Sequence, residues 1–311
     1  MADALVLSGI HKRYGQFVAV DDIDLRVPVG QIFGLLGPNG AGKTSTIRMV
    51  MSILHPDRGE ICVLGHSQAL AVKDRIGYLP EERGLYRKMT VERTLRYFGE
   101  LKGLRGADLS ERVRAALAGV GLSDWLRKPV ESLSKGMQQK LQFVATVLHS
   151  PELVILDEPF SGLDPLNTEL LRQLILDLRA RGATVILCTH QMEQAQRLCD
   201  RLALLNRGRV VIEGGVDQIR ARFAAQTLLV EGDGDFAPLA RLRGVRQAQF
   251  HPGRARLELD DASDTNALLH KAAECGRVAR FEIQRPDLHE IFVRLIGGED
   301  AQAAMPAGGG A

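Results

Sequence analysis

Gly37-Pro38-Asn39-Gly40-Ala41-Gly42-Lys43-Thr44 decides the fold. The apolar run before it, Ile32-Phe33-Gly34-Leu35-Leu36, reads as a buried strand. The run after it, Ser45-Thr46-Ile47-Arg48-Met49-Val50, reads as the start of a helix. Strand, Gly-rich turn and helix together make a phosphate-binding loop. Gly37, Gly40 and Gly42 leave no side chain in the way, so the backbone N–H groups of Gly37 to Ser45 can close around a phosphate chain. The helix that begins here turns its positive end to the same anion. Lys43 supplies a full charge for the β- and γ-phosphates, and the Thr44 hydroxyl is placed to hold Mg²⁺. A chance Gly-rich turn would lack both flanks. The motif points to a nucleoside triphosphate and says nothing of its use.

Upstream, residues 4–27 alternate like a pair of strands, with Tyr14-Gly15 at the turn between them. An exposed aromatic ahead of a phosphate loop can stack on a purine, and a hairpin aromatic covering the sheet is the plainer alternative. Downstream, the first helix is expected to run to about Leu54, where His55-Pro56 breaks it. A short strand ends at Leu79-Pro80, followed by the polar loop Glu81-Glu82. Two amphipathic helices follow, the first capped by Thr90. Ser132-Leu133-Ser134-Lys135-Gly136-Met137 then opens another helix and forms either a second anion site or a plain Ser cap.

Leu153-Val154-Ile155-Leu156 reads as a buried strand that runs straight into Asp157-Glu158. Adjacent carboxylates at the end of a central strand are costly to bury without a purpose. Beside a phosphate loop, Asp157 is the metal-side carboxylate and Glu158 is placed to orient or deprotonate a water. Thr184 to Cys188 is the next strand, and His190 lies just past its end, at the edge where ligands gather in open parallel sheets. The strand–helix alternation predicts a doubly wound α/β core. From about Arg222 the pattern changes to βαββαβ plus a helix, which suggests a small α+β ferredoxin-like domain. The expected division is residues 1–221, 222–297 and a Gly/Ala-rich disordered tail, 298–311.

Forty Lys and Arg against 38 Asp and Glu leave a net charge of +2 in 311 residues, which gives no electrostatic case for nucleic acid. No apolar stretch is long enough to cross a bilayer, and no basic-then-apolar leader opens the chain. A cytosolic protein is the expectation. Cys62, Cys188, Cys199 and Cys275 form no CxxC pair and read as free thiols.

These pieces together resemble the nucleotide-binding subunit of ATP-binding cassette (ABC) transporters. Gly37–Thr44 is similar to the Walker A motif, Leu133–Met137 to the LSGGQ signature and Leu153–Glu158 to Walker B. Ser161–Asp164 is similar to the D-loop, His190 to the switch histidine and Tyr14 to the adenine-stacking aromatic. The chain departs at Lys135 and Met137 in the signature, and at Glu81, where the family has the Q-loop glutamine. Ile76–Tyr86 and the added C-terminal domain resemble a subgroup of stand-alone ATPases that includes the sodium-efflux type NatA. Pro286–Phe292 resembles the ending of ATPases that serve type-2 exporter permeases.

The resemblance implies a P-loop NTPase core with an antiparallel β subdomain and a helical subdomain. It implies two copies joined head to tail around two ATP molecules. Lys43, Thr44 and Asp157 of one copy would hold ATP and Mg²⁺, with Ser134 and Gly136 of the other closing over the γ-phosphate. Glu158 would activate the water and His190 would contact the γ-phosphate. Like charge beside Asp157 and Glu158 leaves Glu81 either a metal-side ligand or swung out towards Glu82 and Arg83 when ATP is absent, and a solvent-pointing loop residue is the plainer alternative. A separate multi-span permease would hold the chain on the inner face of the cell membrane. The rival readings are a soluble ABC ATPase of ribosomes or DNA, a P-loop kinase, and a cassette that binds ATP without hydrolysing it.

Overall fold

The computed structural model describes residues 2–82, 84–223, 227–260, 262–284, 287–293 and 295. Strands β3 (Ile32–Leu36), β6 (Leu153–Asp157) and β7 (Thr184–Thr189) are buried along their whole length. Continuous apolar runs behave so when both faces of a sheet are covered. With β5 (Ile76–Leu79), β8 (Arg201–Asn206) and β9 (Arg209–Gly215) they form a six-stranded sheet of order β5-β6-β7-β3-β8-β9. Every pair is parallel except the β8–β9 hairpin. Leu36 pairs with Thr189 and Asp157 with Cys188, so the C-terminal ends of β3, β6 and β7 lie side by side.

Helices α1 (Lys43–Val50), α5 (Pro165–Ala180) and α6 (Met192–Leu198) follow β3, β6 and β7. Helix α1 is shorter than its sequence suggests. Met51 ends it and Ser52 takes a left-handed φ of 55°, which reverses the chain before His55-Pro56 is reached. A second, antiparallel sheet of order β2-β1-β4 comprises β1 (Asp3–Tyr14), β2 (Phe17–Pro28) and β4 (Arg58–Val63). Its buried Leu5, Leu7 and Ile23 share one apolar cluster with Phe33 of β3 and Ile47 and Met49 of α1. That shared core joins the hairpin sheet to the strand that carries the phosphate loop.

Helices α2 (Val91–Leu101), α3 (Gly106–Gly119) and α4 (Lys135–Val147) build their own cluster from Leu95, Leu109, Val113, Leu117 and Leu141. Thr90 caps α2 by accepting a hydrogen bond from Arg93 N at 3.3 Å.

The chain divides between Gly215 and Val216. Helix α7 (Val216–Arg222), which the sequence reading leaves with the first domain, groups with the second unit. That unit contains β10 (Thr227–Gly234), β11 (Val245–His251), β12 (Arg254–Leu259), α8 (Thr265–Cys275) and β13 (Gly276–Gln284). Where a first helix is expected, residues Ala237–Arg241 form a 3₁₀ turn. The sheet is antiparallel throughout, in the order β11-β12-β10-β13. Two split βαβ units interleave in this way. Leu228, Val230, Leu257, Leu268 and Ala272 fill its core. Residues 288–293 are helical. Pro286 and the expected tail, 298–311, lie outside the described residues.

Candidate nucleotide site

The phosphate loop takes its shape from glycines that nothing else can replace. Gly37 has φ 151°, and a Cβ there would come 2.3 Å from Leu205 O. Gly42 is left-handed at φ 103°, and a Cβ there would come 2.4 Å from Ala19 O. The loop is therefore pressed against β8 on one side and β2 on the other. Lys43 opens α1 and is 5% exposed. Its Nζ donates to Gly37 O at 2.6 Å and Pro38 O at 3.1 Å. An anion entering the loop would take over a charge that is already desolvated.

Asp157 ends β6 and Glu158 follows at φ 48°, a left-handed conformation rarely adopted by a residue with a long side chain. That turn is fixed by Glu158 N, which donates to Cys188 O at 2.8 Å. It directs the Glu158 carboxylate toward the end of β7. Glu158 Oε2 accepts from Thr189 Oγ1 at 3.0 Å, and Oε1 accepts from His190 N at 2.9 Å. His190 Nδ1 lies 2.8 Å from the same Oε1, and Lys43 Nζ lies 4.0 Å from it. The base, the histidine and the lysine named from sequence are thus in one connected group.

Asp157 is 1% exposed; neither of its oxygens makes a well-formed hydrogen bond, although the Thr44 hydroxyl is close enough to favour its ionised form. Burial pushes its pKa up to about 6; the negative charges of Glu81 and Glu158 push the same way, and Lys43 offsets part of this. A buried carboxylate without a well-formed hydrogen bond, next to Thr44 and a phosphate loop, fits a divalent cation, whose charge would relieve the penalty. Among the described residues no group of three His, Cys, Asp or Glu could hold a metal alone. Mg²⁺ takes one or two carboxylates and completes its shell with waters and phosphate oxygens.

A cleft of about 290 Å³ gathers Tyr14, Asn39 to Ser45, Glu81, Asp157 and Glu158. Glu81 is exposed and still lines this cleft. Its loop is tied to α4, where the Gln142 amide donates to Glu82 O at 3.3 Å. Tyr14 is 46% exposed at the mouth. Phe17, 60% exposed, pairs with it across the hairpin turn and lines the same cleft. Sequence reasoning missed Phe17, although a two-residue turn after Tyr14 places the next strand's first side chain opposite it. It also missed Thr189. Ser134 and Gly136 do not line this cleft. Ser134 Oγ accepts from Met137 N at 3.3 Å and so caps α4, while Gly136 packs against Asn167 of α5.

The family model described as "ABC transporter" matches residues 20–161. A second model, "ATP-binding protein DrrA1-3-like, C-terminal domain", matches residues 214–296. The ABC transporter ATP-binding protein YhaQ of Bacillus subtilis is 38% identical over 94% of this chain and 98% of its own length. This chain belongs to the ABC transporter ATP-binding proteins. The Nod factor export ATP-binding protein I of Sinorhizobium fredii is 35% identical over 95% of this chain and 87% of that protein. A solved structure of the ATP-binding subunit of an ABC transporter is 33% identical, covering 71% of this chain and 93% of the other with a TM-score of 0.66. The ABC subunit described here therefore binds and hydrolyses ATP to drive a transporter. Subunits of this kind generally work with a membrane permease. Among the described residues no helix of this chain is long and apolar enough to cross a membrane.

Proposed function

We propose that this subunit energises export. It would act through a separate multi-span permease that holds it at the inner face of the cell membrane, and without nucleic acid. The export-type relative and the DrrA-like C-terminal match support this direction. In this reading Tyr14 and Phe17 stack on the purine. The backbone of Gly37 to Ser45, with Lys43, holds the phosphates. Thr44 and Asp157 would hold Mg²⁺ from the protein side, and Glu81 would be a further carboxylate of the cleft available to it. The ion would supply charge neutralisation on the phosphates when bound.

Glu158 takes the proton of the attacking water as the water oxygen bonds to the γ-phosphorus and the bond to the ADP oxygen breaks. Thr189 and His190 orient that carboxylate. Ser134 and Gly136 face no phosphate of their own chain, so a second copy would bring them over the γ-phosphate, and two ATP molecules would sit in the homodimer.

The observation that carries the reading is the convergence of Lys43, Asp157 and Glu158 at one sheet edge, with Ser134 outside that cleft. Glu158→Gln tests it. The variant should bind ATP, lose about 10²–10⁴-fold in hydrolysis and dimerise only with ATP, as read by light scattering. Near-normal turnover, or a monomer in saturating ATP, contradicts it.

A further inference from the structure

We propose that Asp21 and Arg209 form a clamp that sets the distance between the purine-side sheet and the phosphate loop, making both positioning residues for the nucleotide. This rests on the reading that the purine lies on Tyr14 and Phe17. Three segments far apart in sequence meet beside the loop: β2, the turn between β8 and β9, and Ala41-Gly42. Gly208, in that turn, donates to Ala41 O at 3.0 Å and accepts from Asp21 N at 2.8 Å. It is left-handed at φ 82°, and a Cβ there would come 2.9 Å from Ala19 O. Gly42 touches the same Ala19 carbonyl. The junction has no spare room, so a shift of β2 is transmitted to the loop.

Side chains lock it. Arg209 Nε donates to Asp21 Oδ2 at 2.8 Å, and a second guanidinium nitrogen lies 2.6 Å from that oxygen. His11 Nδ1 lies 3.2 Å from Oδ1, at ion-pair distance without hydrogen-bond geometry. Asp21 follows Phe17 by four residues on the same strand. The clamp therefore ties the purine side of β2 to the turn that holds the phosphate loop. A ligand that touches only the loop is indifferent to this distance, and one that spans loop and purine face is not. Arg209 is largely exposed, so the pair contributes little to overall stability.

The experiment measures ADP and inorganic pyrophosphate binding to the full chain by calorimetry. In Asp21→Asn, ADP affinity should fall about three- to tenfold, the usual size of coupling between contacting groups. Pyrophosphate affinity should stay unchanged. The charge-swapped double variant Asp21→Arg with Arg209→Asp should recover most of the ADP affinity. Equal losses for both ligands, or no loss for ADP, overturn the clamp. Tyr14→Ala with Phe17→Ala reports separately on the purine reading. A selective ADP loss there, with none in Asp21→Asn, overturns the clamp alone, and no loss in either overturns both. A selective loss in Asp21→Asn alone overturns the purine reading and, with it, the clamp as the link between purine face and phosphate loop.

Discussion

Asp157→Asn should flatten the dependence of stability on pH in the protein free of nucleotide and Mg²⁺. Asp157 is held above its unfolded value of 3.8, at about 6. A raised carboxylate contributes its stability fully below the unfolded pKa and loses it as pH rises through the folded one. For wild type that loss spans about pH 4 to 7 and, at 1.36 kcal/mol per unit, amounts to about 3 kcal/mol. Asp21, Asp57 and Glu152 are shifted the opposite way, so the raw curve mixes both signs. The difference between wild type and Asp157→Asn removes them. Urea midpoints of both proteins, in chelator, from pH 4.5 to 7.5, give that difference. A constant offset is expected from the new amide and carries no weight. The pH-dependent part should favour the variant increasingly with pH. Parallel curves across the range would refute burial and the neighbouring charges of Glu81 and Glu158 as the cause.

Glu81→Gln should lower the Mg²⁺ concentration needed for half-maximal ATPase activity or change the maximal rate; superimposable Mg²⁺ titrations would take Glu81 out of the chemistry. Gly42→Ala should destabilise the loop by about 1–3 kcal/mol, because its Cβ would come 2.4 Å from Ala19 O; wild-type nucleotide affinity and melting temperature together would contradict the packing. A chain ending at Gly215 should still bind ATP once circular dichroism shows it folded, since every cleft residue precedes that point; a folded truncation that fails to bind would contradict this independence.

The phosphate loop was readable because its glycines and both flanks are local features, and backbone physics acts locally. The same holds for Asp157-Glu158, where a buried strand ending in two carboxylates announces its own cost. The caps at Thr90 and Ser134 were equally local. What stayed hidden is pairing across distance. Nothing in the sequence around Thr189 says that its hydroxyl will meet Glu158. Nothing near Arg209 points to Asp21, 188 positions away. The end of α1 was misjudged for a different reason: the helical pattern continues past Val50, but Ser52 adopts a left-handed turn that its residue type does not advertise.

Lys43 has a consequence for how variants of this subunit are interpreted. Its ammonium bridges Gly37 O and Pro38 O. Replacing it with alanine deletes a contact to nucleotide and also cuts the tie across the loop itself. A Lys43→Ala protein would then report on a slackened loop as much as on a missing charge. Glu158→Gln leaves that tie intact and keeps an oxygen for Thr189 or His190. For separating the emptying of the site from the loosening of its frame, the carboxylate is the better control.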